Sequence, residues 1–257
     1  MSDQNIVTTL SERILTLRFN RPEKKNAITS AMYTQMADAL LAAEENPDVR
    51  VVLIAGTADI FCSGNDLQDF LAGEGSIHDM PVARFLRTLS VFTKPVVAAV
   101  NGPAVGIGTT LLLHCDLVYA GEGARLQLPF VNLGICPEFC SSYLLPRIMG
   151  HVKAAELILL GDAFSAQKAF ELGLVNAVVP AAEVEPLALE KARRLAQQAP
   201  NALRISKMLM KRFNDSTMAT ALTVELDHFG QLLHGPELKE AVGAFMEKRK
   251  PDFSSFN

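Results

Sequence analysis

Three short apolar runs, VRVVLIAG (49–56), KPVVAAVNG (94–102) and CDLVYA (115–120), constrain this chain more than anything else in it. Each is rich in Val, lacks polar alternation and ends at a glycine or a polar turn. Such runs read as parallel strands buried on both faces, because alternation appears only where one face meets water. Helix-period segments separate them. TSAMYTQMADALLAAEE (29–45) sets Met32, Met36, Ala39, Leu40 and Ala43 on one face, with Thr29 or Ser30 placed to cap it, and PVARFLRTLSVF (81–92) follows the same rule. Buried strands joined by helices require right-handed crossovers, so the class is α/β. The opening NIVTTLSERILTLRFN predicts two alternating strands around a polar turn at Ser11 to Arg13.

After about residue 180 the strand signals stop. EVEPLALEKARRLAQQ, NALRISKMLMKRF, TALTVELDHFGQLL and PELKEAVGAFMEKR are helix-period segments separated by Pro, Asn-Asp or Gly-Pro. Leu222, Leu226, Phe229 and Leu233 form an apolar stripe suited to core or to a subunit interface. No repeat of fixed period is visible.

Composition excludes several classes. Of 257 residues, 49% are hydrophobic and 20% charged, enough for a sizeable core and against general disorder. The net charge of -4 and a longest basic run of only KRK (248–250) argue against a nucleic-acid partner. The most apolar run, LILLG (157–161), is far too short to span a bilayer. Neither a basic-then-apolar leader nor a terminal address tag is visible, which leads to the expectation of a cytoplasmic protein with no membrane partner. The four cysteines read as buried hydrophobes in a reducing compartment. Cys136 and Cys140, with His151 downstream, lack the second ligand pair that a metal would need, so no metal is expected.

Two glycine-bearing turns carry the chemistry. TADIFCSGNDL follows the first buried run, and NGPAVGIGTTLLLHCDL follows the second, with a helix expected from about Thr109. The second is not G-x-G-x-x-G, and it lacks the Gly-Lys-Ser/Thr of a phosphate loop. Spacing alone leaves two readings open. The glycines either permit tight strand-to-helix turns, or they aim backbone N–H groups from two loops at an oxygen that gains charge. A single carboxylate, Glu138, interrupts the apolar stretch NLGICPEFCSSYLLPRIMG (132–150). It is either a proton carrier or an acid in the first turn of a helix starting near Phe139.

SGNDL (63–67), NGPAVGIG (101–108), CDLVYA, LPRIMG and LLGDAFSAQKAFELGLVNAVV, in that order, resemble the crotonase (enoyl-CoA hydratase/isomerase) superfamily. The resemblance runs from RPEKKNAIT (21–29) to EKRKPDF (247–253). It implies a crotonase-like spiral of repeated ββα units over residues 1–195, with the acyl-CoA site, and a C-terminal all-helical trimerisation region over 196–257. The implied partner is an acyl-CoA thioester, the implied assembly a homotrimer or dimer of trimers. No cofactor is implied, coenzyme A being part of the substrate.

The same resemblance places oxyanion N–H donors at Asn65 and Ile107. It places substrate-binding contacts at Lys24, Ala27, Ser63, Gly64, Asp66, Leu67, Gly106 and Phe130, and at Phe245 and Lys248, the last reaching a coenzyme phosphate from a neighbouring subunit. Hydratases of the superfamily carry two glutamates where this chain has Thr110 and Phe130. The retained acid, Glu138, together with NGPAVGI, PEFCSSY and NALRISK, is similar to the peroxisomal type of Δ3,Δ2-enoyl-CoA isomerase. That subgroup implies a proton-shuttle role for Glu138 in fatty-acid β-oxidation. A hydratase with displaced groups or another crotonase-type acyl-CoA enzyme, and, from another class, a non-catalytic acyl-CoA-binding subunit, are the alternatives. Asp66 is expected to cap a helix or orient its loop, and Tyr143, Arg147 and Asp162 to be architectural. The five histidines have no motif partner. The segment between Leu67 and Pro81 is expected to shape the acyl-tail pocket, its GEGSIH stretch being mobile.

Overall fold

The computed structural model describes residues 5–72, 75–212 and 215–256. Gly73 and Glu74 of the GEGSIH stretch therefore lie outside the described residues, as do the first four residues and Asn257.

Strands β1 (Ile6–Ser11) and β2 (Ile14–Phe19) form an antiparallel hairpin. Its turn residues Glu12 and Arg13 have φ of 51° and 63°, the left-handed values that a two-residue hairpin loop demands. Helix α1 (Ser30–Glu45) is capped by the Thr29 side chain, which accepts from Met32 N. Then come β3 (Val51–Ala55), α2 (Leu67–Leu71), α3 (Pro81–Val91), β4 (Val96–Val100), β5 (Pro103–Val105), the short α4 (Ile107–Thr110) and β6 (Leu117–Gly121). β7 (Arg125–Gln127), α5 (Ser141–Met149), α6 (His151–Leu160), β8 (Phe164–Ser165), α7 (Ala166–Glu171) and β9 (Ala177–Val179) complete the mixed part. Four helices close the chain: α8 (Val184–Ala196), α9 (Pro200–Arg212), α10 (Asp215–Leu232) and α11 (Pro236–Met246).

One sheet has the order β1-β2-β3-β4-β6-β9, parallel from β2 onward. A second runs β5-β7-β8. Single bridges extend it: Cys62 pairs with Ala104 of β5, and Asn65 pairs with Ile28. Successive turns of chain thus place β2, β3, β4 and β6 in the first column. Ile28, the 62–65 loop, β5 and β7 fall in the second, and helices follow. This is the ββα spiral, and the chain has the crotonase-like α/β fold with a helical C-terminal region.

Alternate residues of β3 explain its apolar run. Val51, Leu53 and Ala55 pack under α8 with Ala188 and Ala192, whereas Val52 and Ile54 face the main core with Met36 and Leu40. Both faces are dry, so every position must be apolar. The stripe Leu222, Leu226, Phe229 and Leu233 on α10 is buried within the chain itself. α4 starts at Ile107, two residues earlier than the sequence reading, because the first turn bonds Thr109 N and Thr110 N to Gly106 O. α5 starts at Ser141 rather than near Phe139, because Phe139 and Cys140 are left-handed.

Lys207 of α9, within the NALRISK motif, ties the helical region to the sheet. Its buried Nζ donates to Lys94 O at 2.6 Å and to Asp116 Oδ2 at 2.7 Å, and that same carboxylate oxygen accepts from Val96 N. Lys207→Met leaves Asp116 without its cation and Lys94 O without its donor. We expect a loss of about 2 kcal/mol in urea unfolding at neutral pH, the cost of breaking one partner out of a buried pair.

Candidate functional site

The two glycine loops meet because one glycine allows it. A Cβ on Gly108 would sit 2.7 Å from Cys62 O and 2.9 Å from Cys62 Cβ, distances that forbid any side chain there. Cys62 N donates to Pro103 O and Val105 N to Cys62 O, at 2.9 Å each, stitching the loops side by side. Gly106 supplies the turn into α4 with φ of 54° and ψ of -118°, a backbone region that side chains avoid.

The outcome is a pair of exceptional amides. In the Ile28–Asn65 bridge, Ile28 N donates to Gly64 O and Asp66 N to Ile28 O, both at 2.8 Å. Asn65 itself therefore points its N–H away from the bridge. Ile107 is the first residue of α4, where an amide has no intrahelical acceptor. Among the described residues no carbonyl or side chain accepts from Asn65 N or Ile107 N. The Asn65 side chain is held instead by Tyr33, whose hydroxyl donates to Oδ1 at 2.5 Å.

Glu138 is buried, 6% exposed. Its Oε1 accepts from the hydroxyl of Thr110, the last residue of α4, three residues beyond Ile107. Its charge is also felt by Tyr33 and Cys62. Glu138, Asn65 and Ile107 are thus joined through α4 and Tyr33 into one neighbourhood. Burial pushes the Glu138 carboxyl up to about 8. The Thr110 hydrogen bond opposes this, and the neighbouring Glu225 carboxylate adds to it. Phe130, Phe139 and Ile107 are buried in the same main core.

Glu138 is not the acid of the α5 first turn. That position belongs to Glu225 of α10, whose oxygens accept from Cys140 N at 2.5 Å, Ser142 N at 3.0 Å and the Ser142 hydroxyl. Glu138 contributes only its carbonyl, which accepts from Ser141 N and from Ser141 Oγ at 2.6 Å. The side chain is aimed inward by the left-handed pair Phe139 (φ 58°) and Cys140 (φ 59°), a conformation that costs about 1–2 kcal/mol per non-glycine residue. His114 braces the pair. It hydrogen-bonds Phe139 O through Nε2 at 2.8 Å and stacks on the Phe139 ring at 3.8 Å, while burial drives its pKa down to about 3, so it is neutral.

The remaining sequence-derived positions divide. Ser63 N donates to Lys25 O, which brings Ser63 and Gly64 against the Lys24–Ala27 loop, where Lys24 is exposed. Asp66 caps α2 at its first residue, Leu67: Oδ1 accepts from Gln68 N and Asp69 N at 3.2 Å, and Oδ2 takes Arg21 Nη1 at 2.7 Å. Burial works against its ionisation, yet Arg21 and the amide donors hold it below the usual range. Phe245 is 68% exposed on the last turn of α11. Lys248, left-handed at φ 56°, makes no side-chain bond among the described residues. The structure brings neither to the loops. Arg147 lies over the Tyr143 ring at 4.3 Å, an architectural contact. Tyr33 and Glu225 escaped the sequence reading. Tyr33 sits on the buried face of α1 like any core residue, and Glu225 lies 85 residues from the amide it holds.

The fold, with two glycine loops stitched side by side and a buried acid tied to α4, is of the crotonase type. Residues 9–256 match the family described as enoyl-CoA hydratase/isomerase, and the chain belongs to that family. Enoyl-CoA delta isomerase 2 of Rattus norvegicus is 40% identical over 215 residues, 81% of this chain but 55% of the rat protein's own length. The 2,3-dehydroadipyl-CoA hydratase of Escherichia coli is 34% identical, covering 96% of this chain and 98% of its own. The structure of Pseudomonas aeruginosa OdaA superposes with a TM-score of 0.92 at 52% identity, covering 95% and 99% of the two chains. No helix among the described residues is long and apolar enough to cross a membrane.

The raised Glu138 has a consequence for stability. Between the unfolded carboxyl value of about 4.5 and the folded value of about 8, the folded chain holds a proton that the unfolded chain releases. Stability from this group is full below the lower value and is lost as pH rises through the window. Glu138→Gln, neutral throughout, should therefore be more stable than wild type in urea unfolding at pH 8.5. Most of that gain should vanish at pH 5.

Proposed function

We propose that the chain shifts the double bond of 3-enoyl-CoA thioesters to the 2-enoyl position, with Glu138 as the sole proton carrier. The observation that carries this reading is one buried carboxylate bonded to α4, the helix whose first amide is unclaimed. Glu138 takes a proton from carbon 2, and the electrons move onto the thioester oxygen. The Asn65 and Ile107 amides stabilise that oxyanion. Removing one such donor typically costs about 3–4 kcal/mol of barrier. The dienolate is planar, and carbons 2 and 4 present hydrogens on the same face, so the acid formed at Glu138 returns its proton to carbon 4. A carboxyl raised toward neutrality serves both halves: it is a stronger base than a solvated one, and its conjugate acid survives long enough to donate.

Hydration is disfavoured by what flanks Glu138. Adding water needs a second group to activate it, whereas Thr110 offers a hydroxyl already bonded to Glu138, and Phe130 offers no polar atom. The apolar surroundings also keep out water that would quench the dienolate. The route uses no group beyond the chain and the coenzyme A of the substrate. Lys24, Ala27 and the 63–67 loop are assigned to the coenzyme. Phe245 and Lys248 are assigned to it across a subunit boundary in a trimer, a reading supported by the exposure of Phe245 and Met246.

The test is incubation with a 3-enoyl-CoA while conjugation to the 2-enoyl thioester is followed in the ultraviolet. Wild type should turn over. Glu138→Gln should lose roughly 10³-fold or more in kcat, within the range for a general acid-base group, with coenzyme A affinity retained. Accumulation of a 3-hydroxy product from the 2-enoyl ester would instead mark a hydratase. Binding without either reaction would mark a silent acyl-CoA carrier.

A further inference from the structure

We infer that Glu225, a carboxylate supplied by α10 of the helical region, is the positioning residue for Glu138: it clamps the turn that presents Glu138 and brings a second buried carboxylate to that turn. The inference rests on the proton-carrier role proposed above for Glu138.

The clamp follows from the hydrogen bonds. Residues after Glu138 run through two successive left-handed, non-glycine conformations, which persist only where the surroundings over-determine them. Such a turn throws its amides outward. Two of them, Cys140 N and Ser142 N, converge on the Glu225 carboxylate, and the Ser142 hydroxyl joins them. Cys140 Sγ donates to Met218 O at 3.4 Å and Cys136 Sγ to Glu225 O at 3.7 Å, so α10 grips the segment on both sides of Glu138. Glu225 is 6% exposed. A merely solvent-facing helix cap has no reason to be buried at this depth.

The anion follows from unequal donors. Both carboxylates are buried, and burial pushes both upward. Glu225 receives three hydrogen bonds and Glu138 receives one, from Thr110. Donors stabilise the charged form, so the hydrogen bonds favour the anion at Glu225 more than at Glu138. The other titratable groups facing Glu138 are Tyr33 from α1, Cys62 from the loop after β3, and Cys136 and Cys140 from its own segment. Burial raises all four, which keeps them neutral. Glu225 then adds its charge to the burial that raises the acid, and it arrives from a part of the chain that contributes none of those four groups.

Glu225→Gln keeps the shape and removes the charge. In protein labelled with ¹³C at the glutamate carboxyls, with Glu138→Gln used to assign the resonance, the Glu138 titration midpoint should fall by about half a pH unit or more. The acid limb of kcat/KM should move down with it, and kcat above that limb should drop with KM unchanged. Glu225→Asp keeps the charge but shortens the reach, so the midpoint should stay near wild type while kcat falls. A purely structural cap would lower the unfolding midpoint and leave the titration where it was. A wild-type Glu138 midpoint with wild-type kcat in Glu225→Gln overturns the inference. Should that variant not fold, unchanged kcat in Glu225→Asp overturns it equally. Failure of the underlying reading has a separate signature: Glu138→Gln stays active whatever the titration shows.

Discussion

A carboxyl group removed from water and given one hydroxyl donor is the constraint around which this molecule is arranged. Burying an ionisable group with so little compensation is unfavourable in any fold, and the chain responds by letting Glu138 hold its proton toward neutral pH. A stability-optimised sequence would place an apolar residue there. Such a group, buried and displaced from its ordinary pKa, is a candidate functional residue, and on that ground the proposed function rests on it. The surrounding core absorbs the cost: Phe85, Phe139, Tyr33 and Leu40 are fully buried, and each such side chain contributes about 1.5–3 kcal/mol through burial.

The spiral makes the placement possible. Because β3 and β4 lie side by side and parallel, the chain leaves both at the same end, and the loops after them lie together. Gly108 then brings the second loop against the first to a separation no side chain permits. Every other feature of the pair follows. The α4 N-terminus offers an unclaimed amide, the Asn65 bridge turns a second amide away from its own partner strand, and Tyr33 locks the loop by the Asn65 side chain. Both amides are thus held in place by the fold itself, which is the preorganisation that the proposed oxyanion role requires.

Much of this was legible in the sequence, and what was not has physical reasons. The strands at 51–55, 96–100 and 117–121 announced themselves because burial on both faces demands unbroken apolar runs. The second sheet left no such trace. β5, β7 and β8 have three, three and two residues, too short for any period, and much of that column consists of single bridges. For the same reason the repeated ββα turn is absent as a sequence repeat: each turn shares backbone geometry but fills different space. Glu138 stood out because an isolated acid among apolar neighbours breaks the pattern. Glu225 did not, since an acid on a helix otherwise bearing Asp227 and His228 looks like part of a solvated face until the turn at 139–140 is folded against it. The α5 start was misplaced for a related cause, because nothing in Glu-Phe-Cys-Ser announces two left-handed residues.

Thr110 shows why a chain in this family specialises by more than loss of an acid. It occupies α4 within hydrogen-bond reach of Glu138. A carboxylate at 110 would set two buried acids against each other, and like charges so close share one proton rather than act independently. Such a dyad suits a reaction in which one group handles water and the other handles carbon. A hydroxyl in its place donates to Glu138 and adds no second carboxylate to share its proton.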